Sequence, residues 1–147
     1  MPCYRATIHI PGDRQSAFAY LSRFDRAAEW DPGVTDGVML TGEPVGPGSR
    51  FRLRARFLGR SIPLDYEIVE FDPHERMVLR AETGTIRSTD TITFGTDGSG
   101  TLVHYEAVLE AKGLARVAEP LLAVAFRRIG DRAAAGLRVH LRSVPSS

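Results

Sequence analysis

The chain has 147 residues, 43% of them apolar and 25% charged, with Lys+Arg 19 against Asp+Glu 18 and a net charge of +1. That balance excludes a chain kept unfolded by its own charge, and it argues against a dedicated nucleic-acid binder. Cys3 is the single cysteine, so no internal disulfide is available, and no apolar run approaches the roughly 20 residues needed to span a bilayer. The opening MPCYRATIHI lacks the charged and apolar regions of a secretory leader, so the expected setting is reducing and cytoplasmic. Length and the absence of repeats or linkers predict one domain over 1–147.

A short alternating segment, Ala6 to Ile10, precedes Pro11-Gly12-Asp13, whose carboxylate can accept from the free N–H groups that open a helix. The helix predicted from there carries Ala17, Phe18, Leu21 and Phe24 on one stripe. It runs to about Glu29 and stops before Asp31, because a residue ahead of Pro32 is pushed out of helical geometry. From Thr35 to Ala111 the period is two, which predicts antiparallel strands joined by short turns.

Closing the first hairpin at Gly59-Arg60 sets Phe57 against Ile62, Ala55 against Leu64 and Leu53 against Tyr66. The same register puts Arg54 opposite Asp65 and Arg52 opposite Glu67 on the outer face. A turn at Asp72-Pro73-His74-Glu75 has proline where a type I turn favours it. Closing the next hairpin at Thr83-Gly84 sets Ala81 against Ile86, Leu79 against Ser88 and Met77 against Asp90. The last, closed at Gly98-Ser99, sets Phe94 against Val103, Ile92 against Tyr105 and Asp90 against Ala107.

Gly113 ends the sheet, and Leu114 to about Arg142 returns to helical period. Ala118, Leu122, Ala125, Ile129, Ala133, Gly136 and His140 share one side, with Arg116, Arg127, Asp131 and Arg138 opposite. The predicted architecture is therefore α+β: an antiparallel sheet of roughly six or seven strands curled around a long C-terminal helix, which alone is long enough to cover the apolar sheet face. The small residues of its stripe either hold helix and sheet close or leave space between them.

The order of elements carries a resemblance. Pro11-Gly12-Asp13 before Ala17-Phe18-Ala19-Tyr20-Leu21, then Trp30-Asp31-Pro32-Gly33-Val34 and Gly46-Pro47-Gly48-Ser49, lead to Tyr66-Glu67-Ile68-Val69-Glu70-Phe71-Asp72-Pro73 and Arg76-Met77-Val78-Leu79. Together they resemble the polyketide cyclase/dehydrase-like branch of the START-like (SRPBCC) helix-grip superfamily, over nearly the whole chain. The resemblance implies a helix-grip fold with an apolar cavity between sheet and helix that holds a lipid, polyketide, quinone or other hydrophobic molecule, as a carrier, a sensor or an enzyme.

Parity places four polar side chains, Tyr66, Ser88, Asp90 and Tyr105, on the otherwise apolar inner face. A buried carboxylate is costly unless it is hydrogen-bonded, solvated or protonated. Asp90 therefore either meets a ligand or satisfies backbone donors at a bulge or cavity mouth. The candidate ligand-contacting set is Tyr66, Met77, Ser88, Asp90, Phe94 and Tyr105 from the sheet, with Leu122, Ala125 and Ile129 from the helix. In the enzymatic alternative, a cyclase, aromatase or dehydratase, Asp90 with Tyr66 or Tyr105 handles protons.

His9, His74, His104 and His140 show no ligand spacing and Cys3 has no partner, so neither metal nor other cofactor is expected. The Arg50, Arg52, Arg54 and Arg56 row reads as a solvated outer face, without the interleaved aromatics that stack bases. The expected partner is a hydrophobic small molecule, with no nucleic acid and no integral membrane segment. Oligomeric state is not legible.

Overall fold

A computed structural model describes residues 3–57, 59–98 and 100–113, and in the C-terminal segment residues 120, 124, 127, 128 and 131–138. Seven antiparallel strands form one curled sheet in the order β1-β7-β6-β5-β4-β3-β2. They are β1 (Cys3–Pro11), β2 (Val34–Met39), β3 (Arg50–Phe57), β4 (Arg60–Asp72), β5 (Arg76–Glu82), β6 (Ile86–Asp97) and β7 (Gly100–Ala111). Strand β6 shows why these segments are strands. Ile86, Ser88, Asp90, Ile92 and Phe94 are buried on one side, while Arg87 and the β-branched Thr89, Thr91 and Thr93 take the other. Extra residues at Val34/Asp36 in β2 and at Ile68/Glu70 in β4 shift the ladder. Such bulges bend the strand that carries them and increase its twist.

The hairpins test the predicted registers. The β6–β7 pair keeps its register, with Phe94 against Val103, Ile92 against Tyr105 and Asp90 against Ala107, and Gly98 takes φ +61° in the turn. The other two are displaced by two residues. In β3–β4 the last pair is Phe57 with Arg60, so Ala55 faces Ile62, Leu53 faces Leu64 and Phe51 faces Tyr66. Gly59, at φ +79°, thus closes the hairpin as its second loop residue, not its first. Arg52 consequently meets Asp65, through two hydrogen bonds of 2.8 and 3.0 Å, and Arg50 meets Glu67.

In β5–β6 the Thr83 hydroxyl accepts from the N–H groups of Thr85 and Ile86, at 3.2 and 3.1 Å, and Thr83 N–H donates to the Ile86 carbonyl. That side-chain closure moves the turn one residue on, so Ala81 faces Ser88, Leu79 faces Asp90 and Met77 faces Ile92. At the Asp72–Glu75 turn, φ of +67° at His74 excludes the expected type I geometry. A slip of two preserves which face each side chain takes, so the inner and outer sets survive both corrections.

Between β1 and β2 the chain forms α1 (Arg14–Ser22), capped by Asp13, whose carboxylate accepts from Ser16 N–H at 2.6 Å. The single helix expected to reach Glu29 instead breaks at Arg23, where ψ is 74°. The Arg23 guanidinium there makes a two-pronged bond to Asp25 and a further one to Glu43 at 2.7 Å. A 3-10 turn, Phe24–Glu29, follows. With three residues per turn, Phe24, Ala27 and Trp30 all fall on one side, and all three are buried. Helix α1 lies against β6 and β7, and the 3-10 turn lies against β2 and β3.

Residues 131–138 are helical, here α2, and present Ala134 and Leu137 to the core. Tyr4 Oη donates to Asp131 at 3.0 Å, and Arg138 donates to the Thr7 carbonyl at 3.4 Å, tying α2 to β1. A Cβ on Gly136 would lie 2.0 Å from the Trp30 carbonyl oxygen, so only glycine permits this approach. Leu122, Ala125 and Ile129 of the candidate set, with Ala118 and His140 of the stripe, lie outside the described residues.

Candidate functional site

Between the sheet, the 3-10 turn and α2 lies a cavity of about 110 Å³. An apolar cavity of roughly 150 Å³ accommodates benzene, so the enclosed part suits a body about the size of one ring. Its apolar wall includes Phe24, Trp30 and Leu64 from one side and Ala107, Ala133 and Leu137 from the other. The exposed Arg56, also in the lining, marks a side on which it reaches solvent.

Tyr66, Ser88, Asp90 and Tyr105 all face this cavity and are hydrogen-bonded to one another. The observed register explains how. Tyr66 on β4 and Ser88 on β6 each pair with Ala81 of the intervening β5. The alanine methyl leaves the height over which the Tyr66 ring crosses, and its hydroxyl donates to Ser88 Oγ at 3.4 Å. Ser88 in turn donates to Asp90 Oδ1 at 3.1 Å. Asp90 pairs with the small Ala107, and Tyr105, one inward step along β7, reaches diagonally to donate to Asp90 Oδ2. Ring contacts fix both phenols: Phe24 meets Tyr66 edge-on at 5.0 Å, and Trp30 meets Tyr105 at 6.3 Å.

Asp90 is 5% exposed. Burial raises its pKa from 3.8 to about 6; the bonds from Tyr105 and Ser88 oppose that rise, and the charge of Asp31 adds to it. Burial likewise pushes the Tyr66 and Tyr105 hydroxyls upward, with Asp90 adding to both, so the phenols stay protonated at neutral pH. Asp31 is the participant that periodicity overlooked. It was legible only as the residue that stops a helix before Pro32, yet it is part of the cavity lining. Its carboxylate accepts from Gly33 N–H at 2.8 Å, and burial, against that bond, raises its pKa to about 6. The remaining signal in the sequence was an acidic residue inside an otherwise apolar-flanked turn, which periodicity cannot rank.

Met77 and Phe94 require a correction, since neither lines the cavity. Met77 is 0% exposed within the core, and Phe94 packs against Phe18 with ring centroids 5.1 Å apart. Parity correctly turned them inward, but at their level α1 fills the space. Ala133 lines the cavity while Gly136 makes close contact, so the small residues of the helix serve both suggested purposes at different positions. Among the described residues, no group of three or more His, Cys, Asp or Glu side chains is placed to hold a metal ion, and no helix is long and apolar enough to cross a membrane.

Residues 1–142 match the family model described as polyketide cyclase / dehydrase and lipid transport. The chain belongs to this family. Its fold is shared with a START superfamily protein of Mycobacterium smegmatis, at TM-score 0.78 and 14% identity over 95% of this chain and 96% of that one. A protein of Thermus thermophilus superposes at TM-score 0.79 and 19% identity, covering 95% and 97%. The di-domain aromatase/cyclase BexL from the BE-7585A biosynthetic pathway superposes at TM-score 0.69 and 19% identity, covering 97% of this chain and 50% of that one. Curated protein sequences gave no match. At these identities the structural neighbours establish the helix-grip fold.

Proposed function

We propose that this family member binds a hydrophobic small molecule in the cavity, its apolar body against Phe24, Trp30, Leu64 and Leu137 and its polar end at Tyr66, Ser88, Asp90 and Tyr105. Leu122, Ala125 and Ile129 belong to the same proposed contact surface. The observation carrying this reading is a connected polar network at the buried wall of an apolar hollow. A network serving stability alone would be better replaced by packed apolar side chains, since buried ionised groups stabilise weakly. The family description and the neighbouring START and aromatase/cyclase folds support the same class of ligand.

Native mass spectrometry of protein taken directly from cells, before and after organic extraction, tests the reading. A bound mass that extraction removes is the expected result. Protein that carries nothing, and whose amide resonances do not move when toluene is added, would overturn it. A second reading, proton-transfer catalysis of the cyclase or dehydratase type, has one favouring observation. The Asp90 carboxylate, with a pKa of about 6 and a phenol on one oxygen, is poised near operating pH for general acid–base work. Under it, Asp90→Asn abolishes turnover while leaving ligand affinity within a few-fold.

A further inference from the structure

The hydrogen-bond directions inside the cavity constrain what its occupant carries. An ionised carboxylate only accepts, so Ser88 and Tyr105 must both donate to Asp90. The Ser88 oxygen then accepts from Tyr66. All three hydroxyl protons are thereby committed to the network. Among the described residues, what this network leaves towards the cavity is lone pairs, on the Tyr66 and Tyr105 oxygens, with Trp30, whose indole N–H is a donor, also in the lining. Asp31, also in the lining, adds more: among the described residues it accepts one hydrogen bond, from Gly33 N–H, which leaves most of its acceptor capacity unused. The cation in the described lining, Arg56, is exposed and belongs by parity to the outer face of β3.

From this geometry we infer that the cavity selects hydrophobic molecules whose buried polar end is a hydrogen-bond donor, a phenol or alcohol, and rejects those ending in a carboxylate. The inference rests on the ligand-binding reading and narrows it to a chemical class. A hydroxyl donates its proton to the Tyr105, Tyr66 or Asp31 oxygen and replaces the hydrogen bond it loses from water. A carboxylate brings a third negative charge beside Asp90 and Asp31 and finds the three hydroxyl protons of the network already engaged.

Three probes with one ring and one methyl group separate the terms: toluene, para-cresol and para-toluate, titrated into the full chain at neutral pH and followed by amide chemical shifts. The expected order has para-cresol roughly fivefold or more tighter than toluene, from one added hydrogen bond. It has para-toluate about a hundredfold weaker than para-cresol, from burying charge beside like charge. Asp31→Asn should tighten para-toluate by about tenfold with toluene unchanged, while Arg56→Gln leaves the order intact. Equal binding of toluene and para-cresol overturns the inference, as does para-toluate binding as well as para-cresol; either leaves the cavity reading standing. If none of the three binds, the inference falls, and the cavity reading falls with it where the protein also carries no extractable mass.

Discussion

At the end of the sheet bearing the Asp72–Arg76 and Asp97–Gly100 turns, the inward side chains meet α1: Phe18 packs edge-on against Phe71 at 5.3 Å and Phe94 at 5.1 Å, and touches the His74 ring at 5.7 Å. At the opposite end, bearing the Phe57–Arg60 and Glu82–Arg87 connections, the same inner face carries Tyr66, Ser88 and Asp90, and the 3-10 turn and α2 leave a hollow above it. One sheet with one alternation is thus solid at one end and hollow at the other. Strand parity cannot distinguish the two ends. The difference lies in what is laid over the strands: a helix with a central phenylalanine at one end, and at the other a turn and a helix that contribute the small Ala27, Ala133 and Ala134 to the lining beside Phe24 and Trp30.

The sharpest way to break this contrast is Phe18→Ala, which removes a ring from the solid end. It should cost about 3 to 5 kcal/mol, read as a lowered denaturation midpoint. A loss below about 1 kcal/mol would show that end to be no better packed than the hollow one.

Next comes Asp31→Asn, which probes the charge held at the hollow end. Its pKa is raised from 3.8 to about 6. The folded state therefore binds the proton more tightly than the unfolded chain does, and stability from this group falls as pH rises from about 4 to about 6. Removing the charge should accordingly stabilise the protein above about pH 6 by up to about 3 kcal/mol, with the gain vanishing near pH 4. Denaturation curves at about pH 7.5 and about pH 4.5 measure it; a pH-independent difference would contradict the burial argument.

The smallest stability effect belongs to Ala133→Leu, which fills the hollow from a helical position that tolerates leucine. Its cost should stay under about 1.5 kcal/mol, while toluene and para-cresol binding disappears. Met77→Leu is its counterpart from the closed region, with a similarly small cost and binding unchanged.

Much of this was legible in advance. Period-two alternation found the strands, Asp13 announced the start of α1, and Asp90, Tyr66, Ser88 and Tyr105 were turned inward by parity alone. The break at Arg23 was not legible, because the helical stripe through Phe24 continues equally well at the tighter pitch of a 3-10 turn, and the Arg23 bonds to Asp25 and Glu43 form only in the folded chain. Both displaced hairpins kept their faces while changing their neighbours. That change made the relay: Ala81, not Leu79, stands opposite Ser88, and only the smaller side chain leaves room for the Tyr66 hydroxyl to cross.

The sequence by itself determined element order, the antiparallel sheet, the side each strand residue takes and the presence of oxygens among apolar neighbours, because these follow from local periodicity and turn chemistry. Only the tertiary structure decided which inward residues are packed and which face empty volume, that Asp31 joins Asp90 at that volume, and how the Tyr66, Ser88 and Tyr105 hydroxyls are chained to Asp90. Those outcomes depend on contacts between segments far apart in the chain, where a displacement of two residues alters every partner without altering the pattern that local forces impose.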